Sequence, residues 1–419
     1  MNVVHLSTND VSGGAARSAY RIHTGLRGLG VDSTMLVRWR RSDDDSVAEV
    51  RASATLLGRM RHRVRHAVIH RAFARYRSSL KPGFESFSDD RTAWGSRLVD
   101  QVPPASILHL HWIARLVDLG AALPRLCARS PVVWTLHDMN AVTGGCHYDL
   151  GCAGYRQSCG RCPELGSDRE HDLSWDVWRR KRAAYGRIAA DRLHLVAPSE
   201  WLRDRVARSS LAAAFPVSVI PYGLDLDVFT VRDRTAARDL LGLPRQAGVV
   251  LFVAEVLDNA RKGFSFVREA LQGLGGAEAP LLLSMGRGRP VVDAAHHVHL
   301  GTVTNDVFLS VVFSAADVFV ITSLQDNLPN TVLESMACGT PAIGFAAGGL
   351  PEMIRPGETG WLVPPGDVAG LREAILTALN DDVGRAAMGK ASRGRVEREH
   401  GLRRQAERYL DLYRELRSR

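Results

Sequence analysis

The chain has no apolar run as long as the roughly 20 residues that a membrane-spanning helix needs, which argues against a helical membrane protein. It also has no low-complexity tract and no recognisable nucleic-acid-binding motif, so we expect no nucleic-acid partner. Residues 1–7 have the pattern of a buried strand rather than that of a signal peptide, which predicts a cytoplasmic protein. Lysine is scarce, because only four of the 54 basic residues are Lys. Arginine is therefore the usual basic residue of this chain, and a lysine within a motif is informative.

Length and composition fit a globular protein of two domains. At 419 residues the chain exceeds one ordinary core, and two domains of about 200 residues each are expected. Hydrophobic residues make up 45% of the chain, which is enough for a folded protein. The net charge of +9 comes from the first half, since residues 1–222 hold 32 Lys+Arg against 21 Asp+Glu, whereas residues 223–419 hold 22 against 24.

Short apolar runs alternate with amphipathic helical runs along the whole chain, and this pattern predicts parallel sheets wrapped by helices. The predicted fold class is therefore α/β, with two doubly wound, Rossmann-like domains. We place the first domain at residues 1–222 and the second at 223–401, joined by a connector at 221–229. The predicted strands are 3–6, 33–37, 107–111, 132–136, 194–197 and 217–220 in the first domain, and 249–253, 281–284, 298–300, 318–321 and 341–345 in the second.

The segment 323–339, SLQDNLPNTVLESMACG, places two carboxylates around the start of a short helix. Asp326 lies in the loop, Pro329 fits the first helical position, Glu334 falls in the second turn, and Gly339 is a stop signal. The helix start favours a nearby phosphate, and carboxylates accept hydrogen bonds from sugar hydroxyls, so the segment suits a sugar-nucleotide site. An ordinary capped helix with two solvated acids is the alternative. The backbone N–H groups on offer are those of Asn327, Leu328 and Asn330.

This segment resembles the donor-binding signature of the retaining glycosyltransferases of family 4. The resemblance implies a GT-B fold, in which two Rossmann-like domains face each other across a cleft, with the acceptor on the N-terminal side and the nucleotide-sugar on the C-terminal side. It implies that Glu334 binds the ribose hydroxyls and that Asp326 lies against the transferred sugar. The first acid is usually Glu in this family, so Asp326 reaches one methylene less far. The resemblance also implies that a C-terminal helix, 402–419, completes the first domain.

Two basic residues and a glycine pair are candidates for the diphosphate. Gly13 and Gly14 follow the first strand, where a turn without bulky side chains lets the backbone approach a phosphate, although any tight strand-to-helix turn uses the same residues. Arg261 and Lys262 precede a helix of the second domain, and their charge can neutralise a diphosphate, although two solvated residues in a loop are the alternative. The Lys-Gly step at Lys262 resembles the family's motif. The family's Arg lies several positions earlier, so Arg261 is a candidate substitute.

His137 ends a predicted strand in the sequence TLHD. A histidine can donate a hydrogen bond near neutral pH, and a lone His at a strand end is often structural. TLHD resembles the family's motif whose His contacts the donor sugar, so His137 is placed in the site. His109 and His111 alternate on a neighbouring strand and are interpreted as core or rim residues.

Four cysteines cluster within residues 146–162, with five, six and two residues between successive sulfurs. In a reducing compartment such a cluster suggests a structural zinc ion that staples a long loop. The last pair has the spacing of a zinc knuckle, whereas the other spacings are not a standard zinc pattern, and free thiols and disulfides are alternatives. No cluster offers an open water position, so no catalytic metal is expected. The candidate zinc ligands are Cys146, Cys152, Cys159 and Cys162.

Residues 51–77 contain many arginines, no acid, and apolar residues that interleave with the arginines. This pattern predicts a basic amphipathic helix. The apolar stripe can pack onto the first sheet, or the helix can bind an anionic membrane, where each basic residue near the surface contributes about 1 kcal/mol. Enzymes of the family that extend lipid-linked glycans attach through the first domain, so reversible attachment to the cytoplasmic face is the second interpretation.

The resemblance implies a retaining, metal-independent hexosyltransferase of polysaccharide or glycoconjugate synthesis. The donor would be a UDP- or GDP-sugar, and the acceptor a hydroxyl of a glycan, a lipid-linked or a small molecule. A nucleotide-sugar epimerase on the same architecture and a catalytically silent nucleotide-binding scaffold are the alternatives. The predicted catalytic residues are His137, Arg261, Lys262 and Asp326, and the predicted donor-binding residues are Gly13, Gly14, Arg261, Lys262, Asn327, Leu328, Asn330 and Glu334.

Overall fold

A computed structural model of the chain describes residues 1–80, 87–275, 279–288 and 296–418. Arg419, the last residue of the predicted helix 402–419, lies outside these ranges. The chain forms two compact units, one of Met1–Pro221 with Gln405–Arg419 and one of Tyr222–Arg404. Each unit contains one β-sheet whose paired strands all run parallel.

Within the described ranges, seven strands form the sheet of the first unit. They are β1 (Asn2–Asn9), β2 (Asp32–Trp39), β3 (Val47–Glu49), β4 (Ile107–Leu110), β5 (Val132–Thr135), β6 (Leu193–Ala197) and β7 (Val217–Val219). The order in the sheet is β3-β2-β1-β4-β5-β6-β7, so the strand order reverses beside β1 as in doubly wound folds. The helices are α1 (Gly14–Gly28), α2 (Leu56–Ala74), α3 (Leu123–Arg129), α4 (Leu173–Tyr185) and α5 (Glu200–Ala207).

In the part of the second unit that the structure describes, the sheet has six strands. Its strands are β8 (Val249–Val256), β9 (Leu281–Arg287), β10 (His297–His299), β11 (Val318–Ile321), β12 (Ala342–Phe345) and β13 (Gly360–Val363), in the order β10-β9-β8-β11-β12-β13. Its helices are α6 (Arg234–Leu241), α7 (Phe264–Leu271), α8 (Asp306–Ala315), α9 (Asn330–Ala337), α10 (Leu350–Met353), α11 (Val368–Asn380) and α12 (Asp382–Glu399).

The central strands of the first sheet are buried on both faces, which explains why they are mostly apolar. On one face, alternate residues such as Val3 and Val133 pack against α1 and the last helix, α13 (Leu402–Ser418). Tyr409 and Tyr413 of α13 are fully buried in this layer. On the other face, residues such as Leu108 and Trp134 pack into a second apolar cluster with α3 and α4.

Each strand expected from the sequence overlaps an observed strand, but two observed strands were not predicted. Both β3 and β13 lie at an edge of their sheet, where a strand pairs on one side only. The sequence of β3 is VAE, of which Val47 is buried and the other two residues are exposed. A three-residue segment with one buried apolar residue is too short to give a periodic signal.

Candidate functional site

The two basic residues of the second unit lie in a short turn after β8. A 3-10 turn, Ala260–Lys262, is capped by the side chain of Asn259, which accepts a hydrogen bond from the Arg261 backbone N–H at 3.0 Å. Gly263 follows with φ 73°, and a Cβ there would lie 2.2 Å from the carbonyl oxygen of Thr322. A glycine is therefore needed to bring this turn against the end of β11, because any side chain would collide with backbone.

Asp326 joins that turn to the loop after β11. Its Oδ2 lies 2.6 Å from Lys262 Nζ and 3.4 Å from Arg261 Nη1, and it accepts a hydrogen bond from Ser323 Oγ at 3.1 Å. The other oxygen, Oδ1, accepts from the backbone N–H of Asn327 at 3.1 Å. The structure therefore brings together three of the predicted catalytic side chains, although Asp326 lies 64 positions from Lys262 in sequence.

Charge and burial act in opposite directions on Asp326, whose side chain is 8% exposed. Burial by itself would raise the pKa of this carboxyl, but the Lys262 ammonium, the Arg261 guanidinium and the Ser323 hydroxyl hold the pKa well below its usual range. Asp326 is thus ionised at neutral pH. It holds two cations side by side at the carboxyl edge of the sheet, where ligands of parallel sheets bind.

The two cations differ in their surroundings. Arg261 is 5% exposed and donates from Nη1 to the carbonyl oxygen of Gln325 at 2.6 Å, which ties it to the loop before α9. The Lys262 side chain is 24% exposed, and its ammonium contacts Asp326. Arg261 is therefore built into the loop, whereas Lys262 can reach an incoming anion.

Helix α9 carries Glu334 in its second turn, as predicted, and Glu334 is 3% exposed. The solvated-acid alternative is therefore wrong for Glu334, and it is wrong for Asp326 as well. Pro329 precedes the helix as its N-cap instead of occupying the first helical position, and Gly339 follows the helix with φ 73°. Asn327 and Leu328 are buried in the loop before the helix, and Asn330 begins it.

Gly348 and Gly349 contact the backbone of this loop at Asp326. They were not identified from the sequence. The Gly349 backbone N–H donates to the Asp326 carbonyl oxygen at 2.9 Å. A Cβ on Gly348, which has φ 61°, would lie 1.9 Å from the same oxygen. The signal that could have found them is the Gly-Gly step that follows β12 after two alanines, because backbones approach closely where no side chain intervenes.

In the first unit, Gly13 and Gly14 form the turn between β1 and α1. Gly13 has φ 91°, a conformation that residues with a Cβ rarely adopt, and its carbonyl accepts from the Arg17 N–H at 3.0 Å. Gly14 is the first residue of α1. The turn therefore has the shape that the sequence predicts, and its contact with a phosphate stays a prediction.

His137 follows β5 and is 9% exposed. Burial lowers its pKa to about 4, against the opposing effect of the Asp138 carboxylate, so the imidazole is neutral at pH 7. Asp138 itself binds His147 Nδ1 at 2.6 Å and Trp112 Nε1 at 2.9 Å. His111 Nδ1 lies 3.3 Å from His137 Nε2, so the interpretation of His111 as an ordinary core or rim residue missed a direct contact with the site. The alternation HLHW was the available signal.

The four clustered cysteines are all described residues, and no three of their sulfur atoms all lie within 4.8 Å of one another. Among the described residues, the His, Cys, Asp or Glu group whose ligand atoms all lie within 4.8 Å of one another is His5, His109 and His111. Cys162 is buried and Cys152 is exposed, and all six cysteines are free thiols. Burial raises the pKa of Cys162 to about 12. The predicted zinc site at Cys146, Cys152, Cys159 and Cys162 stays a prediction.

Helix α2 exposes five of its apolar residues, and Phe73 near its end packs against Phe87 rather than on the first sheet, so the simpler of the two interpretations of 51–77 is wrong. Those five side chains are 54–68% exposed, and Gly58 is the buried residue of the helix. No helix among the described residues is both long and apolar enough to cross a membrane. The exposed stripe of α2, as we call it below, consists of Leu56, Leu57, Met60, Val64 and Val68.

Comparison with protein families gives matches in both units. Residues 12–228 match the family model described as Glycosyltransferase Family 4, and residues 247–381 match the model described as Glycosyl transferases group 1. The chain belongs to glycosyltransferase family 4. The family predicted from the sequence is therefore confirmed.

Curated relatives of this family member cover part of the chain. It is 34% identical over 186 residues to the D-inositol 3-phosphate glycosyltransferase of Geodermatophilus obscurus, which is 38% of this chain and 40% of that protein. It is 32% identical over 188 residues to the enzyme of the same name from Mycobacterium avium, which is 42% of this chain and 44% of that protein. The matched part thus spans about two fifths of the length of these relatives.

Solved structures match this family 4 chain over nearly its whole length. Sucrose-phosphate synthase from Thermosynechococcus elongatus has a TM-score of 0.68 at 21% identity, with 99% of this chain and 98% of that chain covered. Anabaena HepE in complex with UDP and glucose has a TM-score of 0.65 at 16% identity, with 98% and 99% covered. At these identities the likeness shows the fold, and the predicted GT-B fold class is confirmed.

Proposed function

We propose that the chain transfers a sugar from a nucleoside diphosphate sugar to a hydroxyl acceptor with retention of configuration. The observation that carries this proposal is the arrangement of Lys262 and Arg261 around Asp326, one loop away from the buried Glu334 on α9. Two cations next to a helix start suit a diphosphate. A buried carboxylate in the second turn suits the ribose hydroxyls, since charged acceptors form strong hydrogen bonds with hydroxyl donors.

Lys262 is the cation that we assign to the phosphates. An ammonium has three N–H donors, and the contact with Asp326 uses one of them. The partial exposure of Lys262 leaves room for an anion to bind the others. Arg261 is buried and acts by fixing the loop through Gln325 while adding positive charge behind Lys262. Asp326 holds both cations until the donor arrives, and its predicted contact with the sugar rests on the family resemblance.

The chemistry needs these charges at the moment of bond cleavage. Breaking the anomeric C–O bond creates an oxocarbenium-like centre and a nucleoside diphosphate whose developing charge must be stabilised. Lys262 and Arg261 supply that stabilisation. If the acceptor hydroxyl attacks the anomeric carbon from the same face as the one from which the leaving group departs, the hydroxyl proton can pass to the departing phosphate. This route retains configuration without an enzyme nucleophile or a catalytic metal.

The donor in this proposal is a UDP- or GDP-sugar, and the UDP and glucose bound by HepE support the former. His137 keeps the role that the resemblance gives it, as a contact of the donor sugar, and the Gly13-Gly14 turn keeps its predicted contact with the diphosphate. A thermal-shift series with UDP, GDP and their sugars tests the donor, because a ligand of the native state raises the melting temperature.

The transfer is tested by measuring nucleotide release with and without acceptor, in the wild type and in variants. We expect Lys262→Ala and Glu334→Gln to abolish transfer. Lys390→Ala is the matched control, since Lys390 is an exposed lysine of the same unit. Release only with acceptor supports transfer, a new sugar isomer without acceptor supports an epimerase, and nucleotide binding without turnover supports a scaffold. Full activity of both site variants would refute the assignments.

Attachment to an anionic membrane surface is part of this proposal. The exposed stripe of α2 is flanked by arginines on the same helix, with no acidic residue between 51 and 77. Apolar side chains and cations on one helix suit the headgroup region of anionic lipids. We expect co-sedimentation with vesicles that contain phosphatidylglycerol but not with pure phosphatidylcholine, and loss of binding in Met60→Glu/Val64→Glu. Leu240→Glu is the control, because Leu240 is exposed on α6.

Zinc at the four clustered cysteines is proposed from their sequence spacing alone. Metal analysis of the purified chain tests it. One zinc per chain that is lost in Cys159→Ser would support the site. Purified protein that holds no zinc and whose melting temperature does not change when zinc is added would contradict it.

A further inference from the structure

Three histidines form a hydrogen-bonded chain inside the first unit. His5 lies on β1, His111 follows β4 and His137 follows β5, and these strands are neighbours in the sheet. His5 Nδ1 is 2.9 Å from His111 Nε2, and His111 Nδ1 is 3.3 Å from His137 Nε2. The chain runs from His5, which is fully buried, to His137, which is 9% exposed.

All three imidazoles are neutral at pH 7. Burial, together with neighbouring imidazoles, holds the pKa of His5 and of His111 well below the usual value, and burial lowers that of His137 to about 4. A neutral imidazole has one N–H donor and one bare acceptor nitrogen. The protons of such a chain must therefore all point the same way, either from His5 towards His137 or from His137 towards His5.

The far nitrogen of His5 decides between the two directions. His5 Nε2 is buried and has no hydrogen-bond partner among the described residues. If the protons pointed towards His5, this nitrogen would carry an N–H without an acceptor. In the opposite direction it carries only a lone pair. Buried N–H groups without a partner are rarer in proteins and costlier than unused acceptors, so the protons point towards His137.

We propose that His5 and His111 are positioning residues that fix His137 as the tautomer with its proton on Nδ1. The role of this tautomer rests on the proposed function. His137 then presents a neutral N–H donor at Nδ1 to an oxygen of the donor sugar, while its Nε2 accepts a hydrogen bond from His111. A neutral donor of fixed direction favours one orientation of the sugar without adding charge next to the oxocarbenium-like centre.

His109 belongs to a separate branch of the cluster. Its Nε2 lies 2.7 Å from Thr135 Oγ1 and its Nδ1 lies 2.6 Å from the hydroxyl of Tyr413. The close approach of His5, His109 and His111 could also suit a metal ion. Both nitrogens of His109 are already bonded, and the three ligands offer no carboxylate to balance a buried divalent charge. The hydrogen-bonded chain is therefore the better account.

The tautomer is measured directly by long-range 1H–15N correlation on ligand-free protein labelled at histidine. The His137 signal is assigned by its loss in His137→Gln. We expect the Nδ1–H pattern for His137 in the wild type and a mixture of the two tautomers in His111→Leu, because no donor then holds Nε2. His111→Asn should restore the wild-type pattern, since its amide can donate from near the Nδ1 position. His109→Gln is the matched control and should leave His137 unchanged.

Turnover gives a second readout. We expect kcat to fall about tenfold in His111→Leu, the equivalent of one lost hydrogen bond, and to recover in His111→Asn. An Nε2–H pattern for His137 in the wild type overturns the proposal, as does a bound metal that is lost in His111→Leu. The spectrum needs neither a sugar donor nor turnover. It therefore tests the tautomer independently of the transferase activity. If His111→Leu does not fold, the wild-type and His111→Asn spectra decide.

Discussion

Replacing Asp326 by Asn tests whether the cation pair is held together by a buried carboxylate. At an effective dielectric constant of about 20, a unit charge at the observed distances of 2.6 Å from Lys262 and 3.4 Å from Arg261 gives attractions of about 6 and about 5 kcal/mol. Much of this offsets the desolvation of the buried charges. Breaking such a buried pair typically costs about 3–5 kcal/mol, and the partial exposure of Lys262 favours the lower end.

We therefore expect Asp326→Asn to lower the free energy of unfolding of the second unit by about 3 kcal/mol at pH 7. The pKa of Asp326 is lower in the folded chain than the value of about 4 in the unfolded chain. The stabilisation is fully present well above pH 4 and is lost as the pH falls towards the folded-state pKa. The difference between wild type and variant should shrink between about pH 5 and pH 3.

Urea unfolding of both proteins across this pH range is the measurement. Glu358→Gln is the matched control, because Glu358 pairs with Arg355 at 3.2 Å on the surface of the same unit, with both side chains 49% exposed. That variant should change stability by less than about 1 kcal/mol. The reasoning is refuted if Asp326→Asn matches the wild type, or if its deficit stays constant as the pH falls.

Two further predictions concern packing around the sites. Gly348→Ala should destabilise the second unit by several kcal/mol, since its Cβ would lie 1.9 Å from the Asp326 carbonyl oxygen, whereas Gly357→Ala, with φ 76° and open space, should cost only about 1–2 kcal/mol of backbone strain. Equal losses in thermal melts of the two variants would exclude the clash. Tyr413→Phe should cost about 1–3 kcal/mol, because it leaves His109 Nδ1 without its partner at 2.6 Å. An unchanged melting temperature would show that this hydrogen bond adds nothing.

The local parts of the site could be predicted because their signals lie in short segments. Glu334 in the second turn of α9, the Gly13 turn and the Lys-Gly step each depend on neighbours in sequence, and the structure has each where expected. The hydrogen-bonded chain to His137 was missed, since His5 and His111 lie 106 positions apart. The exposure of Met60 on α2 was not determined by its periodicity, because an apolar stripe looks the same whether or not it packs.

By itself the sequence determined the α/β class, the two parallel sheets and the family, because strands buried on both faces and loops at their carboxyl ends leave local patterns. Only the tertiary structure decided which loops meet. Strand β8 pairs with β11, and so the turn of Lys262 lies against the loop of Asp326. Strand β4 lies between β1 and β5, and so His111 lies between His5 and His137. Such contacts depend on strand order, which brings together segments that are distant in sequence and which no single segment determines.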